Sequence, residues 1–341
     1  MSSRSIAGVP GAAGSGPGPF VWLGARRFRA LRLAPLMLAF FLPELAPASA
    51  ACPDLTSTFE AAINAQNLAG ATEAENKIAH EAACGSHALV DAQRRRAALQ
   101  ISMSEELKSR PGSTARREAL IVDAEKPEVL WLASYVLGEL RMEQRRFAGA
   151  GEAFQRAIEI VKNPDLTPTA PPAADIQYLI DRASEARMLA ANEEGAAQPA
   201  TFVTAAKDHR DGSVGGSLSA NVRGVVAKSI PLPINFDTGV AQLTRIGQQA
   251  ADELLAALKE QKPDRVVLVG HTDERGGDAY NMRLSQARVD TIARFLKDNG
   301  VTGRIDVLAR GKREPLKIRD TAGLSQQDVW ALNRRVEWRR E

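Results

Sequence analysis

The chain has 341 residues, 44 Lys and Arg against 41 Asp and Glu, and 44% apolar content. At roughly 100–200 residues per domain this length predicts two domains, and the apolar fraction supplies ordinary buried cores, which excludes fully disordered and collagen-like chains. The formal net charge of +3 points to an anionic partner only if it belongs to the working part of the chain.

Much of it does not. Residues 1–50 carry a basic cluster at Arg26, Arg27, Arg29 and Arg32, the apolar run Leu33–Leu42, and small residues at Ala48 and Ala50. A charged start, a short apolar run and A-x-A spacing read as a secretory signal peptide cut after Ala50. The run is about half the length of a membrane span and contains Pro35, which argues against an anchor. Ser49, three residues before Cys52, stands where a lipobox carries Leu, which argues against lipidation there. This segment holds a net charge of +4, residues 51–220 hold −6 and residues 221–341 hold +5. The exported chain is therefore close to neutral, and nucleic acid is not an expected partner.

Cys52 and Cys84 are the only cysteines. In an exported protein two cysteines default to one disulfide, and in the chain-entropy picture a loop of this size contributes about 3–4 kcal/mol. The expectation is a structural Cys52–Cys84 link.

Residues 51–195 are rich in Ala, Glu and Arg, and their apolar residues recur at helical spacing. Segments 55–83 and 87–110 are expected as helical hairpins, and Asp175–Asn192 as a closing helix after the proline-rich break Pro164–Pro172. Leu137-Gly138, Phe147, Ala150, Phe154, Ala157 and Pro164 resemble one tetratricopeptide unit, in which small residues let two helices approach and a large one fills the groove between them. Stacked hairpins of this kind either form a protein-contacting surface or act as a spacer.

Residues 196–222 are polar and rich in Gly and Ser and read as a flexible linker. From 223 to 341 strands alternate with helices. Val225–Phe236 is extended, with Pro231 and Pro233 suiting an edge position. Leu243–Leu258 marks a helix, Arg265–Val269 a strand buried on both faces, and Leu284–Leu296 a helix closed at Asn299-Gly300. Arg304–Ala309 and Arg335–Arg339 complete a βαβαββ order, an α/β sandwich.

Five blocks then stand in order: Asn235-Phe-Asp-Thr-Gly239, Gly270-His-Thr-Asp-Glu-Arg-Gly276, Tyr280–Arg288, Gly311, and Asn333-Arg-Arg-Val-Glu337. In order and spacing they resemble the C-terminal domain of the outer-membrane protein A family, whose relatives include peptidoglycan-associated lipoprotein and the flagellar motor protein B. The resemblance implies an OmpA-like domain that binds peptidoglycan non-covalently through the diaminopimelate of the stem peptide. By motif position Asp273 and Arg288 would grip it.

The chemistry suits that ligand. Diaminopimelate ends in an ammonium beside a carboxylate, so a receptor needs one anion and one planar cationic fork. Asp273 follows a strand at its carboxyl end, where ligand crevices form in α/β sheets, and Arg288 lies on the next helix. Asp237 and Thr238, placed at the end of the first strand, and Asn281, near a helix start, would line the same crevice. Each has a plainer reading: Asp273 and Arg288 as an internal ion pair, Asn281 as a helix cap, His271 as a hydrogen-bonded strand end. Of Arg334 and Arg335, which alternate along a strand, at most one faces the crevice.

The expected class is a non-catalytic protein of the periplasm, either free there or attached to the outer membrane through a partner, with no metal, no cofactor and a protein partner for residues 51–195. One alternative is an envelope scaffold defined by its helical part. A wall hydrolase using His271, Asp273 and Ser285 is the remoter one, because Ser285 sits inside a helical pattern without the turn that presents a nucleophile.

Overall fold

The computed structural model describes residues 51–192, 218, 221–237, 239–321 and 323–340. The expected signal peptide, Thr238, and all of the expected linker except Leu218, Asn221 and Val222 lie outside the described residues.

Seven helices come first: α1 (Ala51–Asn64), α2 (Leu68–His80), α3 (Gly85–Leu107), α4 (Thr114–Glu125), α5 (Trp131–Glu143), α6 (Phe147–Lys162) and α7 (Ala173–Asn192). Neighbours pack in sequence, α1 on α2, α3 on α4, α5 on α6 and α6 on α7. The expected hairpin at 87–110 is instead one helix, α3, paired with α4. No Gly or Pro interrupts the chain between Gly85 and Pro111-Gly112, so nothing turns it earlier.

Between α5 and α6 the approach is set by Gly138. A Cβ there would lie 2.5 Å from the Phe154 ring, so the bare backbone is what makes room for the aromatic side chain. Phe154 is fully buried, and Tyr135 packs beside it with ring centroids 6.0 Å apart. At the other end of the array a disulfide joins Cys52, in the first turn of α1, to Cys84, immediately before α3, with Cα atoms 5.0 Å apart.

The C-terminal part holds β1 (Ser229–Leu232), α8 (Arg245–Gln261), β2 (Arg265–His271), α9 (Asp278–Asp298), β3 (Arg304–Gly311), α10 (Gln326–Asn333) and β4 (Val336–Arg339). The sheet order is β1-β4-β2-β3, with β2 and β3 parallel and the other pairs antiparallel. Val266 to Val269 are all buried, as a strand covered on both faces requires.

Two boundaries differ from the βαβαββ expectation. An extra short helix, α10, precedes the last strand, and Ser325 and Asp328 form a reciprocal capping box at its start. The first strand is only Ser229–Leu232, with Pro231 inside it at a position whose N–H would point away from β4, since the even-numbered residue Lys228 is the one that accepts from Arg340. It lies at the edge, bonded to β4.

The helical array and the sheet share a core. One apolar cluster runs from Phe147 and Phe154 through Ile176 and Leu179 to Ile230, Leu254 and Trp338. Polar contacts cross the same junction. Arg145 clamps Asp328 with bonds of 2.8 and 3.0 Å, Arg319 pairs with Asp181 at 2.6 Å, and Arg187 pairs with Glu253 in the interior. Among the described residues no helix is long and apolar enough to cross a membrane.

Candidate binding crevice at the end of strand β2

The end of β2 is fixed by close backbone packing. A Cβ on Gly270 would stand 2.6 Å from the Ser285 carbonyl and 2.7 Å from Val289, so only glycine lets α9 lie this near the strand. The Gly311 amide donates to the Ser285 hydroxyl at 3.0 Å, which itself donates to the Met282 carbonyl at 3.0 Å. The Thr272 amide donates to the Gly311 carbonyl at 2.9 Å. These contacts bring Asp273, two residues past the strand, to the same locality as Arg288 on α9.

Asp273 is 6% exposed. Its carboxylate accepts from the Arg275 guanidinium at 2.6 and 3.2 Å, from the Arg275 amide at 3.1 Å and from Arg334 at 3.1 Å. Burial pushes its pKa up, but the bonds from Arg275 and Arg334 outweigh this and hold the carboxyl below its ordinary value. It is an anion at neutral pH.

Arg288 is 7% exposed and has no such partner. Among the described residues no carboxylate lies within ion-pair distance of it. Its guanidinium donates to the carbonyls of Val240 at 3.2 Å and, at the long limit, Asp237 at 3.5 Å, and it sits 5.0 Å from the centre of the Phe236 ring. Burial, reinforced by the nearby Arg334 cation, pushes its pKa down to about 10, against the pull of Tyr280 and Asp273. The group is still charged at neutral pH, and its charge is satisfied by dipoles alone. The internal Asp273–Arg288 pair allowed by the sequence is not formed, because Arg275 and Arg334 occupy the carboxylate.

The other expected residues are distributed unevenly. Asp237 lies in the loop after β1, not at its end, since the strand stops at Leu232. Its side chain is exposed, and its backbone carbonyl is what meets Arg288. Asn281 is 2% exposed and is not the cap of α9, a position held by Gly277. Its amide donates to the Arg275 carbonyl at 2.8 Å and so fastens the loop that carries Asp273. Thr238 is outside the described residues.

Arg334 meets Asp273 while Arg335 turns to Glu337 at 2.6 Å, but not by the expected alternation along a strand: Arg334 caps the end of α10 and β4 begins only at Val336. Arg275 had no signal of its own in the sequence. Its guanidinium stacks 4.5 Å from the Trp330 ring, and the Trp330 indole donates to Glu274 at 2.9 Å.

The residues of the imagined hydrolase are otherwise engaged. The Ser285 hydroxyl is held between Met282 and Gly311, and His271 lies beneath the surface with Nε2 3.4 Å from Glu337. Burial, the leading effect, keeps His271 below its ordinary pKa. Among the described residues no group of three or more His, Cys, Asp or Glu side chains is arranged to hold a metal ion.

The OmpA family model matches residues 235–327. Outer membrane protein A of Shimwellia blattae is 35% identical over 30% of this chain and 45% of that protein. Peptidoglycan-associated lipoprotein of Pseudomonas aeruginosa is 36% identical over 37% of this chain and 70% of that protein. The solved peptidoglycan-associated lipoprotein of Burkholderia pseudomallei is 26% identical, covering 33% of this chain and 89% of that one, with a TM-score of 0.26. The chain spans about half the length of the first curated relatives it matches.

Proposed function

From the premise that the chain belongs to the OmpA family through its C-terminal part, we propose that it is a non-catalytic cell-envelope protein that binds peptidoglycan non-covalently through the diaminopimelate of the stem peptide. The observation that carries the reading is Arg288: a buried guanidinium, charged at neutral pH, with carbonyl dipoles and an aromatic face around it but no carboxylate. Such a cation is costly to bury unless something anionic completes it. A ligand carboxylate would do so through two parallel hydrogen bonds. The ligand ammonium would go to Asp273, the anion of the pair, displacing the exposed arm of Arg275.

Relatives named as outer membrane and peptidoglycan-associated proteins support an envelope setting, and a disulfide fits an oxidising periplasm. For residues 51–195 the reading is contact with another envelope protein, and a pull-down with the full chain against envelope extract tests it. Recovery of the same material by a chain whose α1–α4 surface is charge-reversed would remove that part of the proposal.

The wall-binding reading is tested by sedimenting the full chain with purified peptidoglycan and comparing Asp273→Ala and Arg288→Ala. Wild type is expected in the pellet and both variants in the supernatant, with circular dichroism unchanged. Equal pelleting of all three would overturn the site. Release of soluble muropeptides by wild type would instead establish a hydrolase.

A further inference from the structure

The last turn of α7, the final described element of the helical array, reaches the crevice and touches both of its walls. On one side the Asn192 side-chain oxygen accepts from Arg334 Nη2 at 2.8 Å, while Nη1 of the same guanidinium donates to Asp273 at 3.1 Å. On the other the Asn235 amide donates to the Ala191 carbonyl at 2.7 Å. Asn235 opens the Asn235–Val240 loop, which supplies the Phe236 ring beneath Arg288 and the two carbonyls that hold it. Two consecutive residues of one helix thus brace the anionic and the cationic half of the site separately.

The helix itself is anchored to the C-terminal part farther back, through Glu185 accepting from the Arg319 amide at 3.0 Å, Asp181 pairing with Arg319, and Arg187 pairing with Glu253. The brace therefore has a fixed base.

We propose that Asn192 is a positioning residue for the peptidoglycan site: it holds Arg334 across Asp273, so that the grip on the stem peptide depends on the helical array being seated. The inference rests on the wall-binding reading above. By linkage the dependence is reciprocal, and a bound stem peptide must secure the end of α7 as strongly as α7 secures the site.

The test is a double-mutant cycle on the full chain, using a diaminopimelate-containing tripeptide muropeptide as probe and calorimetry as readout. Asn192→Ala is expected to weaken binding about fivefold, the low end of ordinary coupling between sites. Asn192→Asp, which keeps the acceptor, is expected to retain most of the affinity. In an Arg334→Ala background, Asn192→Ala is expected to change nothing further, a result that a merely structural role would not give. In parallel, hydrogen exchange at the 188–192 amides should slow when the muropeptide is added to wild type, and should not slow in Arg334→Ala. Full affinity in Asn192→Ala, or the same loss in both backgrounds, overturns the inference while leaving wall binding intact. Failure of wild type itself to bind the muropeptide overturns the wall-binding reading instead.

Discussion

Two groups of buried charge lie near the end of β2, and they are built on opposite rules. In the group around β4 every guanidinium has a carboxylate: Arg335 meets Glu337 at 2.6 Å, Arg339 meets Glu337 at 3.0 Å and Glu314 at 2.8 Å, and Arg310 meets Glu314 at 2.7 Å. In the crevice three guanidiniums, those of Arg275, Arg288 and Arg334, accompany the single carboxylate of Asp273, and the most buried of them has only carbonyls. The first network gives each of its guanidiniums a carboxylate. On the proposed reading the crevice leaves one cation without a carboxylate until its ligand arrives, and that difference would separate the two roles where burial alone cannot.

The sharpest way to break the comparison is to remove the central anion of the balanced group. Glu337→Gln leaves Arg335 buried without a carboxylate, while Arg339 keeps Glu314, and a loss of about 3–5 kcal/mol in urea unfolding is expected. The same residue sets a pH dependence. Burial pushes Glu337 up, but His271 and Arg335 outweigh it and hold the group far below an ordinary glutamate. Its contribution is therefore complete above the usual value of about 4.3 and is lost only as the pH falls below it. Wild-type Tm should begin to fall below about pH 6.5, because the buried His271 ring is held below its ordinary pKa and resists the proton that the unfolded chain takes up. The further drop in stronger acid, below the ordinary glutamate value, should be shallower in Glu337→Gln. A Tm loss in Glu337→Gln no larger than that of a surface substitution would end the distinction drawn here.

Arg288→Met should show the reverse pattern: muropeptide binding falls by about 2–5 kcal/mol, because the ligand carboxylate loses its partner, yet stability changes by less than about 1 kcal/mol or rises, since an uncompensated cation has gone. A large stability loss with binding retained would assign Arg288 to the fold. Gly270→Ala is expected to cost about 1–3 kcal/mol, since its methyl group would press on the Ser285 carbonyl and Val289. Calorimetry should show binding weakened with it, as α9 carries Arg288. The smallest effect is expected for Arg275→Ala. Its side chain is 57% exposed, and an exposed pair contributes about 0–1 kcal/mol. Binding should be no weaker than wild type, because Asp273 is then free for an ammonium; marked weakening would make Arg275 part of the grip.

The sequence made the crevice legible in part. The strand before Asp273 and the helical spacing of Arg288 agree with their placement, though both were singled out by the family resemblance of their motifs. The company they keep was not, because Arg334 reaches Asp273 across 61 positions and nothing in either neighbourhood announces the contact. Helix α10 was not expected although Ser325 and Asp328 have capping-box spacing, since the eight residues after Ser325 show too little periodicity to declare a helix. Residues 87–110 read as a hairpin because the rhythm of 55–83 carries into them, although no Gly or Pro falls between Gly85 and Pro111 to turn the chain. The junction of α7 with the sheet was hidden for a deeper reason: a face buried against a distant element looks, in sequence, like any other apolar face.

The Cys52–Cys84 link has a consequence for how the molecule becomes complete. The core beneath it is a small separate cluster in which Phe59 and Ile78 are the only large fully buried side chains and the rest are alanines. A terminal hairpin in a stacked array has a neighbour on one side only. Here a covalent bond supplies what a further hairpin would otherwise supply by burial. In a reducing medium the first hairpin is then the first part to open, while the body that carries the crevice keeps its own core. The order of that first hairpin therefore depends on the redox state of its surroundings as well as on its own packing.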